Sequence, residues 1–75
     1  MNYLIERKVR QILEERGIQQ KFVCEKVGIP IANFNLSMNQ KRKLKATELI
    51  SICIYLGIDL NIFKGLEEDF NGISN

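Results

Sequence analysis

The sequence has no histidine, no tryptophan, a single proline and only two cysteines, which do not form a CxxC pair. Histidine is the side chain most often used for proton transfer near neutral pH and the commonest metal ligand, so its absence removes most acid–base and metal chemistry. The three serines find no base partner of that kind, and the carboxylates Glu14–Glu15 and Glu67–Asp69 fall on an outward helix face and in the C-terminal segment. No catalytic constellation of the usual kind can be assembled, and the chain is not expected to be an enzyme. No metal, cofactor or small-molecule substrate is expected either. No apolar run approaches the ~18 residues of a membrane span. Residues 1–10 carry charges where a secretion signal needs an apolar stretch. A cytoplasmic protein without a membrane partner is the expectation, with Cys24 and Cys53 as reduced core residues rather than a disulfide.

What is present is a compact apolar inventory: 45% of the 75 residues are hydrophobic, which suffices for one small domain. The net charge of +2 conceals an asymmetry. Residues 20–45 hold six cations (Lys21, Lys26, Lys41, Arg42, Lys43, Lys45) against Glu25 alone, a local excess of five. A basic stretch of this kind is either a solvated loop or the footprint of a phosphate backbone.

Apolar spacing reads as helices throughout. Ile5, Val9, Ile12 and Leu13 make the stripe of a first amphipathic helix, with Glu6, Arg7, Lys8, Arg10, Glu14 and Glu15 expected outward and Gly17 as its stop. Val23, Cys24 and Val27 make a shorter second helix closed by Gly28. Pro30 sets the start of a third, from about Ile31 to Met38, with Phe34 and Met38 as its i, i+4 apolar pair. Residues 39–45 form a basic connection anchored by Leu44. Leu49, Ile52, Cys53 and Leu56 give a fourth helix ending at Gly57, and a short turn follows from Leu60 to Lys64. No strand alternation is visible. Residues 1–65 are assigned to the domain and 66–75 to a tail.

Two short helices joined by a tight glycine turn are the signature of a DNA-binding helix-turn-helix. Here the small residue at the crossing is Cys24, the turn glycine is Gly28, and Val23, Val27, Ile29 and Phe34 pin both helices. The stretch Glu15-Arg16-Gly17-Ile18-Gln19-Gln20, then Val23-Cys24-Glu25-Lys26-Val27-Gly28-Ile29, resembles the opening of the Cro and phage-repressor (XRE) family. Asn39-Gln40-Lys41-Arg42-Lys43-Leu44, Glu48-Leu49-Ile50 and Tyr55-Leu56-Gly57-Ile58-Asp59 resemble its second half, so that the likeness runs over residues 5–64.

The resemblance implies an all-α, five-helix lambda-repressor-like domain that binds double-stranded DNA as a phage- or plasmid-type transcriptional regulator, more in keeping with a repressor than an activator. It implies that Gln20 and Asn39 hold phosphates, that Lys41, Arg42 and Lys43 form a basic loop near the backbone, and that Ile31, Ala32, Asn33 and Asn35 occupy positions facing base edges. The alternatives stand beside these roles: Ile31 as a core partner of Phe34, Asn33 and Asn35 as ordinary surface polarity, and Gln20 as a helix-surface residue.

The chain departs from that family's pattern in several places. Pro30, Ile31 and Ala32 replace the usual polar residues early in the third helix, and no Arg or Lys lies between Lys26 and Lys41. Guanine reading is therefore disfavoured and an A·T-leaning site expected. Gln40 stands where relatives place Gly, which either costs about 1 kcal/mol in a left-handed turn or sends the loop another way. Ser37 replaces a large apolar residue, which suggests a rotated helix or a looser core. Helix 4 is apolar nearly all round, with Ile50, Ile54 and Tyr55 beside its core stripe. Either the tail, through Phe70 and Ile73, or a second subunit is expected to cover it. The preferred expectation is a homodimer built on Ile50, Ile54, Phe63 and Phe70. The rival functional class is a helix-turn-helix fold that binds another protein, such as an antirepressor or antitoxin-like partner.

Overall fold

The computed structural model describes residues 2–66, and all regular structure among them is helical. Four α-helices, α1 (Leu4–Arg16), α2 (Gln20–Val27), α3 (Ile31–Met38) and α4 (Ala46–Leu56), are followed by a 3-10 helix, Leu60–Leu66. The fifth helical segment expected from sequence is thus a 3-10 helix. It runs through Leu66, which packs on the core one residue beyond the expected domain limit. Phe70 and Ile73 lie outside the described residues. No helix among the described residues is long and apolar enough to cross a membrane.

Helix ends follow one rule. In each α-helix the residue after the C-cap, or the C-cap itself, takes a left-handed conformation, and the next N–H reaches back five residues to a carbonyl. Ile18 N–H bonds Leu13 O at 2.9 Å, Ile29 N–H bonds Cys24 O at 3.2 Å, and Ile58 N–H bonds Cys53 O at 3.0 Å. This is the Schellman closure, in which the apolar residue after the glycine folds onto the helix it ends. Three Gly-Ile pairs therefore terminate α1, α2 and α4 and turn each isoleucine toward the core.

The end of α3 is the exception. Lys41 N–H bonds Leu36 O at 2.8 Å and Gln40 N–H bonds Ser37 O at 3.0 Å, the same closure with Gln40 at φ 63°. The loop does not run differently for lack of glycine: it adopts the left-handed turn and accepts its strain. Where the other helices place isoleucine, this one places exposed Lys41.

The core joins Ile5, Val9 and Leu13 of α1 to Val23 and Cys24 of α2, Phe34 and Met38 of α3, and Leu49, Ile52 and Cys53 of α4. α1 packs on α3 and the 3-10 helix, and α2 packs on α3 and α4. Cys24 and Cys53 are free and buried, and burial pushes both thiols up from their ordinary range.

Two expectations are corrected here. Glu6, placed outward by the α1 pattern, is 1% exposed, and its Oε2 accepts the Leu44 N–H at 2.7 Å. The carboxylate ties the basic connection to α1. Phe63, assigned to a dimer surface, is 0% exposed. Its ring belongs to the apolar core cluster, which leaves it nothing to offer a second subunit.

Candidate nucleic-acid interface

The turn between α2 and α3 is built by Gly28 and Pro30. Gly28, at φ 76°, donates to Cys24 O at 2.9 Å and reverses the chain in a conformation that a side chain would strain. Pro30 at φ −55° then opens α3, whose first internal bond runs from Phe34 N–H to the Pro30 carbonyl at 3.0 Å. The short connection leaves α3 lying against α2 with one face free.

That face is set by the buried one. Phe34, Ser37 and Met38 point inward, so Ile31, Ala32, Asn35 and Leu36 point out. Ile31 is 46% exposed, which removes the reading of it as a core partner for Phe34. Asn33 is half-buried and Asn35 exposed. Leu36, 44% exposed, belongs to the outward face although the sequence reading did not single it out. Its position one helical turn beyond Ala32 would have identified it.

The free face carries no charge, and at its N-terminal end Ile31 shares a shallow groove with Lys21 and Glu25 of α2. Lys21 and Lys26 are exposed on α2, and Lys41 and Lys45 are exposed on the loop after α3. Lys21, Lys26 and Lys45 had been noted only as part of the charge excess. Lys21 also sits 5.9 Å from the centroid of the exposed Phe22 ring. Gln20 occupies the first position of α2, half-buried, at the helix end whose N–H groups favour anions.

The basic loop divides into free and engaged cations. Arg42 is half-buried: its Nη1 donates to Ser37 Oγ at 3.0 Å and Glu48 Oε1 at 3.1 Å, while Nη2 donates to Glu48 Oε2 at 3.0 Å. It is a strut between α3 and α4, not a free phosphate ligand. Lys43 donates to the Asn2 carbonyl and lies 5.5 Å from the Tyr3 ring centroid, so it faces the N-terminal segment. Of the three loop cations expected at phosphates, Lys41 alone is fully presented to solvent.

Ser37 is explained by the same strut. It is 0% exposed, and its hydroxyl accepts from Arg42, so the buried position is used for a polar bond rather than apolar packing. Burial alone would push the Glu48 carboxyl up, but Arg42 and the Lys45 N–H, which bonds Oε1 at 2.9 Å, hold it below the ordinary glutamate range.

The far end of α3 is held from α1. Arg10 Nη1 donates to the Met38 carbonyl at 3.1 Å and to Asn39 Oδ1 at 3.4 Å, so Asn39 is oriented by Arg10 at the helix's C-cap. A guanidinium here also opposes the partial negative charge of the helix C-terminus. Arg10 was read as an outward residue of α1, and its spacing gave no sign of this contact.

The outer face of α4 remains open. Ile54 is 76% exposed and Ile50 and Tyr55 are also exposed, and a shallow cleft there is lined by Lys26, Val27, Ser51, Ile54 and Tyr55.

Among known families, the model of the Cro/C1-type helix-turn-helix DNA-binding domain matches residues 8–61, a span from the first turns of α1 into the 3-10 helix. No curated protein and no solved structure matches the chain.

Proposed function

The chain belongs to the Cro/C1-type helix-turn-helix family of DNA-binding domains, and from that premise we propose that it is a transcriptional regulator that lays α3 in the major groove of double-stranded DNA. The observation that carries the reading is the uncharged outer face of α3, with exposed Lys21 beside Ile31 in one shallow groove and exposed Lys41 and Lys45 on the loop that follows the helix. Phosphates flank the groove and bases floor it, so cations belong at the margins and neutral side chains in the middle. Gln20 and Asn39 support the backbone contacts, and Ile31, Ala32, Asn33 and Asn35 supply the side of α3 nearest the bases. The regulator is a phage- or plasmid-type repressor working in the cytoplasm. It acts as a homodimer on two half-sites about one helical turn apart, with Ile50 and Ile54 of α4 at the contact between subunits.

A second reading is favoured by one observation: Phe22, Ile31 and Leu36 expose apolar surface on the two helices of the motif, as a protein-binding module would. Titration against a random duplex at rising salt separates the two. Backbone binding gives a straight line of log affinity against log salt with a slope of about −0.9 per phosphate engaged. Replacing Lys21, Lys41 and Lys45 by Gln flattens that line. No affinity at low salt overturns the DNA reading and leaves the protein-binding one.

A further inference from the structure

The helix expected to read bases has almost nothing with which to read guanine. Guanine O6 and N7 are taken by a bidentate Arg or Lys. α3 contains neither, and the next guanidinium in the chain, Arg42, is fixed on Glu48 and Ser37. Lys43 is likewise held at Asn2 and Tyr3.

What the face does offer is apolar. At about 100° per residue, Ile31, Asn35, Ala32 and Leu36 share an arc of about 140°, opposite the buried Ser37 and Phe34. Ile31 and Leu36 are each nearly half exposed and stand about a turn apart along it. An apolar side chain pressed on a groove floor gains free energy only where it meets an apolar group. In the major groove that group is the C5-methyl of thymine, since the other edge positions are hydrogen-bond donors and acceptors. Asn35, between them on the arc, matches the N6/N7 pair of adenine.

We propose that α3 recognises its half-site through thymine C5-methyl groups, with Ile31, Ala32 and Leu36 as the specificity-determining contacts and Asn35 reading an adenine among them. The inference rests on the DNA-binding reading above and narrows it: the site is set by where thymines lie, not by guanines.

Uracil tests it, because it pairs as thymine does and lacks only the methyl. A duplex is selected from a randomised pool and then made twice, once with dT and once with dU throughout the selected site. The dU duplex is expected to bind about fourfold more weakly for each methyl in contact. Ile31→Ala and Leu36→Ala, both at exposed positions, are each expected to narrow the dT/dU gap at one thymine, with helical circular dichroism unchanged. Equal binding of the dT and dU duplexes, or selected sites with invariant G·C pairs under α3, overturns the inference while random-duplex binding persists. A gap that both variants leave intact overturns the assignment to these side chains. Loss of all duplex binding at low salt is a different failure, that of the DNA reading itself.

Discussion

Arg42 and Glu48 face each other end-on, with both guanidinium Nη atoms on the two carboxylate oxygens at 3.1 and 3.0 Å and the Ser37 hydroxyl on the same guanidinium. The pair closes the loop that follows α3 against the start of α4, and it is half-buried on both sides. Arg42→Gln is expected to lower stability by about 2 kcal/mol, since it leaves Glu48 without its charged partner and breaks the bond to the buried Ser37. It is expected to leave the salt slope of DNA binding almost unchanged. Lys41→Gln is the converse, with no measurable loss of stability and a slope shallower by about 0.9. Urea melts and salt titrations of the two variants give the comparison.

The pH dependence follows from the same pair. Glu48 is held below the ordinary glutamate range in the folded state, where Arg42 and the Lys45 N–H oppose the upward push of burial. A depressed carboxyl contributes stability that is complete above its unfolded pKa of about 4.3 and is lost as pH falls below that value through the folded pKa. Wild-type stability is therefore expected to decline on acidification across this window. Glu48→Gln, which cannot ionise, is expected to be less stable at neutral pH and to decline less steeply. Parallel declines in the two proteins would show that another carboxylate carries the effect.

Gln40 is the one described residue other than glycine with a positive φ, 63°. It completes at α3 the closure that Gly-Ile pairs complete elsewhere. Gln40→Gly is expected to raise stability by about 0.5–1 kcal/mol, the left-handed strain relieved less the added freedom of the unfolded chain. Gln40→Val is expected to lower it, because a β-branched residue is poorly accommodated at positive φ. Thermal melts of the pair check the sign in both directions.

The helices were legible because their signals are local. Apolar spacing and the glycines at 17, 28 and 57 mark the ends of α1, α2 and α4 within a few residues of each element. What was not legible is how charged side chains are spent. Glu6 has the sequence context of an outward carboxylate, and it is buried because the Leu44 N–H arrives from 38 residues away. Ser37 reads as a packing fault until Arg42 is seen beside it. The loop cations look equivalent in sequence, and only their partners separate Lys41 from Arg42 and Lys43. Phe63 was misplaced for a different reason: a turn as short as Leu60 to Lys64 gives no apolar periodicity to say whether the ring faces the core or a second subunit.

Glu6 supplies the next expectation. Its buried Oε2 takes the Leu44 N–H at 2.7 Å, and a buried backbone donor is costly to leave without its acceptor. Glu6→Ala removes the acceptor and leaves a cavity beside Ile5 and Val9, and should lower stability by about 2–4 kcal/mol. Glu6→Gln keeps an acceptor oxygen and should cost less. If Glu6→Gln and Glu6→Ala melt together, the carboxylate's bond to Leu44 is not what fixes the loop.

The outer face of α4 makes the last prediction. Ile54 is 76% exposed beside exposed Ile50 and Tyr55, on a helix whose other side is already buried by Leu49, Ile52, Cys53 and Leu56. A surface of this kind on a small protein is stabilised by being covered, and a second copy brings an identical patch that a two-fold contact can match. With Phe63 inside the core, the contact is expected on Ile50 and Ile54, next to the cleft edged by Lys26 and Tyr55. Sedimentation of the wild type at high micromolar concentration is expected to give a dimer, and Ile54→Lys a monomer that keeps its fold. The monomer should still bind a random duplex, because Lys21, Lys41 and Lys45 are untouched, but it should bind a two-half-site duplex no more tightly than a single half-site. A wild type that sediments as a monomer, unchanged by Ile54→Lys, removes the dimer from the proposed mechanism.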